Sequence, residues 1–194
     1  MKILTIENIV SALGANLVNG DEFKEKEILG VALDSRKVEK DFLFFAFKGD
    51  KVDGHDYIKA AFDNGAAAVV CERVPEGEEG VCIVVEDSVE AIKKLATYYR
   101  EKLGIKVVGV TGSIGKTTTK EFIATVLSQK YNVFRTEKNQ NNLIGLPLSI
   151  LNIKENNEVA VLEMGISEFG EMTKLSEIAK PDICVITNIS ACHL

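Results

Sequence analysis

The sequence predicts an α/β fold in which a small α/β domain precedes a doubly wound domain with a largely parallel sheet. From residue 106 onward, strand-like and helix-like segments alternate, the order that produces parallel strands. Two of these strands, in KVVGVTG (106–112) and ICVITNI (183–189), are apolar nearly throughout, as is typical of strands covered on both faces. Hydrophobic residues make up 46% of the 194 residues, enough apolar material for a core.

Residues 1–86 are predicted to form the first domain. Apolar residues at helical spacing predict a helix in TIENIVSAL (5–13). A second helix is expected in HDYIKAAFDNG (55–65), with Gly65 just past its end, where the left-handed conformation favours glycine. Short apolar runs bounded by polar turns predict four strands, at residues 28–33, 41–47, 66–72 and 81–86.

Residues 87–194 are predicted to form the second domain. Ser88 is expected to cap a helix that runs to Gly104 and bridges the two domains. The alternating pattern then predicts strands at 106–111, 132–136, 159–164 and 183–189 and helices at 116–130 and 170–179.

Charge and composition exclude some classes of protein. The net charge of −6 argues against a general nucleic-acid binder, which would show a basic face. The sequence has neither the apolar segment of a signal peptide nor a run near the ~20 residues of a membrane helix, so a cytoplasmic protein is expected. The cysteines lack zinc-like spacing, and we expect reduced thiols that are mostly buried in apolar runs: Cys71, Cys82, Cys184 and Cys192.

The stretch VTGSIGKTTTKE (110–121) has the pattern of a phosphate-binding loop. A strand precedes it, a helix follows it, and Gly112 and Gly115 allow the backbone to approach an anion closely. Lys116 supplies charge and Thr117 a hydroxyl for a metal ion. Val110 stands where the full motif has glycine, so a glycine-rich turn with a surface lysine is the alternative; the strand–loop–helix context favours the nucleotide site.

Two further side chains are expected at the carboxyl edge of the second sheet, where ligands bind in open α/β sheets. Glu163 ends the apolar strand VAVLE and is either a solvated strand end or, with Thr117, an oxygen ligand for Mg²⁺. His193 follows another apolar strand, but histidine is a poor Mg²⁺ ligand by hardness alone.

The loop TGSIGKTTTKE resembles the ATP loop of the Mur ligases, the amide-forming enzymes of peptidoglycan assembly, which also lacks the first glycine. Four other stretches are similar to motifs of that family in the same order: LDSRKVEKDFLFFAFKGDKVDGHDYI (33–58), NQNNLIGLPLSIL (139–151), VLEMGISEFGEM (161–172) and TNISACHL (187–194). The resemblance implies a UDP-sugar-binding domain at 1–86 and a P-loop ATP-binding domain at 87–194. It also implies that the ATP-binding domain is incomplete and that a C-terminal domain is absent.

The NNLIGLP and EMG runs are similar to the family branch that joins UDP-N-acetylmuramoyl-tripeptide to D-alanyl-D-alanine. The implied reaction uses ATP and Mg²⁺, passes through an acyl phosphate and yields ADP and phosphate, and it serves cell-wall synthesis and, through it, cell shape and division. A monomer is expected, as is little or no turnover by these 194 residues alone. Two alternatives remain open: a non-catalytic UDP-sugar-binding module, and another Mur ligase or a relative of folylpolyglutamate synthase.

The resemblance also implies roles for individual residues. Lys116, Glu163 and His193 would be catalytic, and Thr117, Glu163 and His193 would hold the metal ion. The residues implied to contact the nucleotide are Thr111, Gly112, Ser113, Ile114, Gly115, Lys116, Thr117, Thr118 and Asn142. Those implied to bind the UDP-sugar substrate are Ser35, Arg36, Lys48, Gly49, Asp53, Gly54 and His55.

Overall fold

The computed structural model describes residues 3–49, 52–137 and 140–190. The chain forms two compact units, Met1–Leu95 and Ala96–Leu194. The division falls inside the helix α3 (Ser88–Leu103), whereas the boundary expected from the sequence lies just before it. The division falls there because each half of α3 is bonded to its own unit. In the first half, Lys94 Nζ donates to Leu13 O at 2.8 Å, and in the second half, Tyr99 Oη donates to Ile153 O at 2.7 Å.

The first unit contains a five-stranded sheet. Its elements are α1 (Ile6–Leu13), β1 (Asn16–Val18), β2 (Gly30–Ala32), β3 (Phe42–Phe45), α2 (Ile58–Asp63), β4 (Ala66–Cys71) and β5 (Cys82–Val84). The strand order is β1-β5-β4-β3-β2, with β1 antiparallel to β5 and the other neighbours parallel. The four predicted strands are present; β1 was not predicted, because three residues are too few to show a period of two.

One part of the core of the first unit lies between the sheet and α2. Buried apolar side chains of both elements, among them Phe44, Ile58 and Val69, pack in one cluster. Gly65 follows the end of α2 with a φ of 102°, as predicted for the position after a helix end.

The second unit contains a four-stranded parallel sheet. Besides α3, its elements are β6 (Lys106–Thr111), α4 (Lys116–Leu127), β7 (Val133–Arg135), α5 (Gly145–Leu151), β8 (Val159–Glu163), α6 (Glu171–Ala179) and β9 (Ile183–Ile186). The strand order is β7-β8-β6-β9. The predicted α/β class with a largely parallel sheet is confirmed. Within the described ranges, every helix is too short or too polar to cross a bilayer.

The helix α5 was not predicted from the sequence. Gly145 and Pro147 resemble turn residues, but proline is tolerated in the first turn of a helix, where its missing N–H has no partner to lose. Burial stabilises the helix, because Leu146 and Ile150 are fully enclosed.

The strand β9 differs from the prediction of a strand covered on both faces. It pairs only with β6 in the described sheet, and Ile183 and Ile186 are 58% and 59% exposed. Cys184 is exposed as well, which corrects the expectation of a buried thiol, while Cys71 and Cys82 are buried as expected. Cys192 lies outside the described residues.

The cap of α3 is Asp87 rather than Ser88. The Asp87 carboxylate accepts hydrogen bonds from the amides of Val89 at 2.8 Å and Glu90 at 2.9 Å. Ser88 is the first helical residue, and its buried hydroxyl donates to Glu72 Oε1 at 2.8 Å. Aspartate and serine are both good caps, so their order along the chain does not decide between them.

Replacing the cap should weaken the start of α3. We expect Asp87→Ala to lower the free energy of unfolding by about 1 kcal/mol, the usual contribution of an N-cap side chain. Urea denaturation followed by circular dichroism measures the change. Glu86→Ala, which removes an exposed carboxylate one residue earlier, is the control and should have little effect. Equal losses in both variants would contradict the capping role of Asp87.

Candidate functional site

The loop between β6 and α4 has the geometry of an anion-binding turn. Gly112 and Gly115 have φ angles of 132° and 83°, values that residues with a Cβ atom rarely adopt. Gly115 is the N-cap of α4. Because it has no side chain, it cannot accept a hydrogen bond from the first amides of the helix as other N-cap residues do. The first amides of a helix have no acceptor within it, so those of Lys116, Thr117 and Thr118 are suited to bind an anion.

The segment after β9 determines the shape of this loop. Asn188 accepts hydrogen bonds from two amides of the loop. Its main-chain oxygen accepts from Ser113 N at 3.1 Å, and its Oδ1 accepts from Ile114 N at 2.9 Å. Thr187 Oγ1 donates to Ile114 O at 2.6 Å. A Cβ on Gly112 would lie 2.1 Å from Thr187 Oγ1, so the close approach requires glycine.

Because of these contacts, only some of the loop residues that were expected to contact a nucleotide have a free amide to do so. The amides of Ser113 and Ile114 are already bonded, and the Ile114 side chain is 69% exposed. The amides left for phosphate oxygens are those from Gly115 to Thr118, because the Thr119 amide donates to Gly115 O at 3.0 Å. Thr111 Oγ1 is buried and has no hydrogen-bond partner among the described atoms.

Lys116 carries the positive charge of the loop. Its ammonium donates to Gly112 O at 2.7 Å and lies 3.4 Å from Ser113 O, so it is held over the loop. Carbonyl groups are weaker partners for an ammonium than anionic oxygens are, so an arriving phosphate competes well for Lys116.

Glu163 and Thr117, predicted to act together, are in contact. Glu163 ends β8 and is buried, with 2% of its surface exposed. Its Oε2 accepts from Thr117 Oγ1 at 2.9 Å and its Oε1 from Asn141 Nδ2 at 2.9 Å. The Glu163 amide donates to Thr136 Oγ1 at 3.0 Å. The alternative of a solvated strand end is therefore wrong for this carboxylate.

Sequence reasoning missed a second buried charge at this edge of the sheet. Lys120 lies on α4 with 1% of its surface exposed, and its ammonium is 3.9 Å from Glu163 Oε2. The ammonium donates to Thr136 O at 2.6 Å and lies 3.1 Å from Glu121 Oε1. The spacing along the helix could have predicted this position. Lys120 is four residues after Lys116, so both side chains lie on the same face of α4.

The two adjacent asparagines have different partners. Asn141 contacts Glu163, as described above. Asn142, which was expected near the nucleotide, accepts through Oδ1 from Ile144 N at 3.1 Å and Gly145 N at 2.8 Å and so orders the start of α5. His193 lies outside the described residues.

The oxygens of Thr117 and Glu163 fit a magnesium ion. Neighbouring ligands of an octahedral ion with bonds of about 2.1 Å lie about 3 Å apart. The 2.9 Å between Thr117 Oγ1 and Glu163 Oε2 matches that separation, and both are hard oxygen donors. Among the described residues no group of three His, Cys, Asp or Glu side chains could hold a metal, so phosphate oxygens and water would complete the shell.

In the first unit, the predicted residues Ser35 and Arg36 lie in a compact turn after β2, which Asp34 caps. Arg36 donates to both carboxylate oxygens of Asp34, at 2.9 and 2.8 Å, and this hydrogen bonding lowers the pKa of Asp34 to about 2. The guanidinium is largely exposed and remains reachable from solvent. Ser35 is buried, and its carbonyl accepts from Asn64 Nδ2 at 2.9 Å.

His55 is a buried residue that uses both ring nitrogens. Nε2 accepts from the Glu72 amide at 3.0 Å, so Nδ1 carries the proton and donates to Asp53 Oδ1 at 2.6 Å. Arg73 donates to Asp53 Oδ2 at 2.7 Å. The Arg73 hydrogen bond, followed by those from the His55 amide and ring, holds the pKa of Asp53 well below its usual range.

The remaining predicted residues of the first unit shape the loop before His55. Lys48 and Asp53 pair as an antiparallel bridge, and Gly49 N donates to Val52 O at 3.0 Å. A Cβ on Gly54 would lie 2.6 Å from Phe47 N, so this position requires glycine. Lys48 and Gly49 are exposed, whereas His55 supports the loop from beneath.

Comparison with known proteins identifies matches along the whole chain. Models of the Mur ligase family catalytic domain and the Mur ligase middle domain match residues 27–116 and 110–194. The UDP-N-acetylmuramoyl-tripeptide–D-alanyl-D-alanine ligase of Bacillus subtilis (strain 168) is 46% identical over 192 residues, which are 98% of this chain and 42% of the relative. The ligase of the same name from Escherichia coli (strain K12) is 32% identical over 191 residues, 98% of this chain and 41% of the relative.

Solved structures give the same result. A crystal structure of MurF from Acinetobacter baumannii has a TM-score of 0.88 and 34% identity, covering 98% of this chain and 41% of that one. MurF ligase from Thermotoga maritima in complex with ADP has a TM-score of 0.75 and 43% identity, covering 85% of this chain and 38% of that one. The chain thus spans about two fifths of the length of its relatives.

The Asp53 contacts predict a pH-dependent contribution to stability. Because the folded-state pKa is lowered, the contribution is present above the ordinary value of 3.8 and is lost as the pH falls through the folded-state pKa. We expect Asp53→Asn to be less stable than the parent at pH 7 and the difference to shrink below pH 4. Urea unfolding at several pH values tests this, with exposed Asp63→Asn as the control. A difference that does not vary with pH would contradict it.

The position of Lys116 predicts its importance for phosphate binding. We expect Lys116→Ala to weaken ADP binding by about tenfold or more, since a hydrogen bond to a charged group contributes about 1.5–3 kcal/mol. Calorimetric titration of the natural full-length protein with Mg²⁺ and ADP measures this. Lys174→Ala, at an exposed lysine of α6, is the matched control. Unchanged affinity in the Lys116 variant would refute the assignment of the loop.

Proposed function

The chain belongs to the Mur ligase family, and we propose that it forms part of an ATP-dependent ligase that joins D-alanyl-D-alanine to UDP-N-acetylmuramoyl-tripeptide. The observation that carries the proposal is the 2.9 Å contact between Thr117, in the first turn of α4 directly after the phosphate-binding loop, and the buried Glu163 at the end of the neighbouring strand β8. A glycine-rich turn without a ligand has no reason to enclose a carboxylate beside it, because burying that charge costs free energy.

The proposed reaction has two steps. The γ-phosphate of ATP is transferred to the terminal carboxylate of the tripeptide, which gives an acyl phosphate and ADP. The amine of D-alanyl-D-alanine then attacks the acyl carbon, the amide bond forms, the amine loses a proton, and phosphate leaves. Such transfers depend mainly on positioning and charge neutralisation.

The loop residues perform those two tasks in the proposed site. The amides of Gly115, Lys116, Thr117 and Thr118 hold phosphate oxygens, and the Lys116 ammonium neutralises their charge. Thr111, Gly112, Ser113 and Ile114 maintain the loop, and Asn142 orders the segment beside it. Bound magnesium would neutralise phosphate charge, and Thr117 and Glu163, with His193, are its proposed protein ligands.

The first unit is the proposed UDP-sugar-binding part. Arg36 carries an exposed guanidinium, whose planar donors suit a pyrophosphate, and Lys48 adds a second exposed cation. Ser35, Gly49, Asp53, Gly54 and His55 shape the two turns that carry them. The cellular setting we propose is the cytoplasm, in peptidoglycan synthesis, with the protein acting as a monomer.

The substrate assignment is tested by phosphate release from the natural full-length protein with ATP, Mg²⁺ and UDP-N-acetylmuramoyl-tripeptide. We expect release to require D-alanyl-D-alanine and mass spectrometry to show the corresponding amide. The Lys116→Ala variant is the inactive control.

Two results would contradict this assignment. Amide formation from UDP-N-acetylmuramoyl-dipeptide and lysine or diaminopimelate, but not from D-alanyl-D-alanine, would indicate the ligase that adds the third residue. Binding of the UDP-muramoyl peptide without any binding of ATP would indicate a non-catalytic binding module.

A further inference from the structure

We propose that Lys120 is a positioning residue that holds Glu163 ready for a magnesium–nucleotide complex. The inference rests on the proposed function, because it assigns to Lys120 a part in that same site. Lys120 need not contact the nucleotide; it acts through Glu163.

The burial of Lys120 and Glu163 is the first argument. Among the described charged side chains they are the two most deeply buried, at 1% and 2% exposure. A buried ammonium or carboxylate is unfavourable unless an opposite charge and hydrogen bonds compensate for the lost water. Lys120 supplies the opposite charge to Glu163, with 3.9 Å between Nζ and Oε2, and the ammonium itself is compensated by Glu163 and by Glu121 Oε1 at 3.1 Å.

The shared partner of the two charges is the second argument. Thr136 follows β7, and its main-chain oxygen accepts from Lys120 Nζ at 2.6 Å. The Thr136 hydroxyl oxygen accepts from the Glu163 amide at 3.0 Å. Lys120 therefore acts on Glu163 both directly, through charge, and through Thr136, which fixes the backbone from which the carboxylate projects.

The position of Lys120 on α4 is the third argument. Lys120 lies three residues after Thr117 and four after Lys116, so the three side chains share one helix face. If Thr117 Oγ1 turns to a metal ion, Glu163 Oε2 loses the hydrogen bond that it accepts at 2.9 Å in this structure. Lys120 and Asn141 then remain to hold the carboxylate, so that metal binding does not have to order it.

The test separates this role from a purely structural one. ADP affinity of the natural full-length protein is measured by calorimetry, once with Mg²⁺ and once with a chelator, and the ratio of the two dissociation constants gives the benefit from the metal. We expect Lys120→Met and Lys120→Gln to reduce this ratio by about tenfold, because partners that orient metal ligands typically contribute 10- to 100-fold to metal affinity. Affinity without Mg²⁺ should change little.

The choice of variants keeps the test interpretable. Lys120→Gln removes the charge but keeps an N–H donor for the Thr136 carbonyl, whereas Lys120→Met removes the charge and the donor but keeps an unbranched side chain of similar length. Glu121→Gln is the matched control, because it removes the other, half-exposed carboxylate beside Lys120 and should retain the parental ratio.

The ratio of the two dissociation constants distinguishes a positioning role of Lys120 from a purely structural one. A parental ratio in Lys120→Gln, even with a lower unfolding midpoint, would show that Lys120 is only structural and would overturn the inference. A parent protein that binds ADP equally well with and without Mg²⁺ would overturn the proposed metal site itself. A reduced ratio in both Lys120 variants, with Glu121→Gln unchanged, supports the proposal.

Discussion

The buried carboxylate of Glu163 is the group on which the site of the second unit depends. A carboxylate enclosed by protein must replace the water it has lost with hydrogen bonds and an opposite charge. The carboxylate has its partners on α4 (Thr117 and Lys120) and before α5 (Asn141), and the main-chain amide of the same residue donates to Thr136 after β7. The contacts of this one residue, through its carboxylate and its amide, therefore fix the relative positions of three segments around the end of β8.

The parallel sheet makes this arrangement possible. In such a sheet the carboxyl ends of all strands lie at one edge, and the loops that follow them meet there. The order β7-β8-β6-β9 places β8 next to β6, so that Glu163 faces the loop that leads into α4. On the other side of β6, β9 delivers Thr187 and Asn188 to the same loop. The loop is thus held by the ends of both neighbouring strands.

Much of this arrangement follows from the sequence. The apolar strands, the glycines of the loop and the lysine and threonine after them predict the fold and the pairing of Thr117 with Glu163. The remaining features of the site depend on contacts between residues that are distant in the sequence, and local sequence patterns do not predict such contacts. Lys120 has the sequence pattern of an exposed helix lysine, but in the structure it is buried and contacts the segment after β7. Asn141 and Asn142 have the same chemistry but different partners. His55 resembles a ligand-binding residue, yet its two nitrogens are satisfied inside the protein.

The contact between Gly112 and the segment after β9 has a consequence for the order of folding. The loop and Asn188 are separated by 74 residues, and closing so long a stretch of chain is entropically costly, so contacts of this kind form late. We expect β6 and α4 to assemble first with a loop that has no fixed shape, and the native loop to appear only when β9 docks. Amide hydrogen exchange at Ser113 would report this, because that amide should become protected together with β9 and later than the amides in the middle of α4.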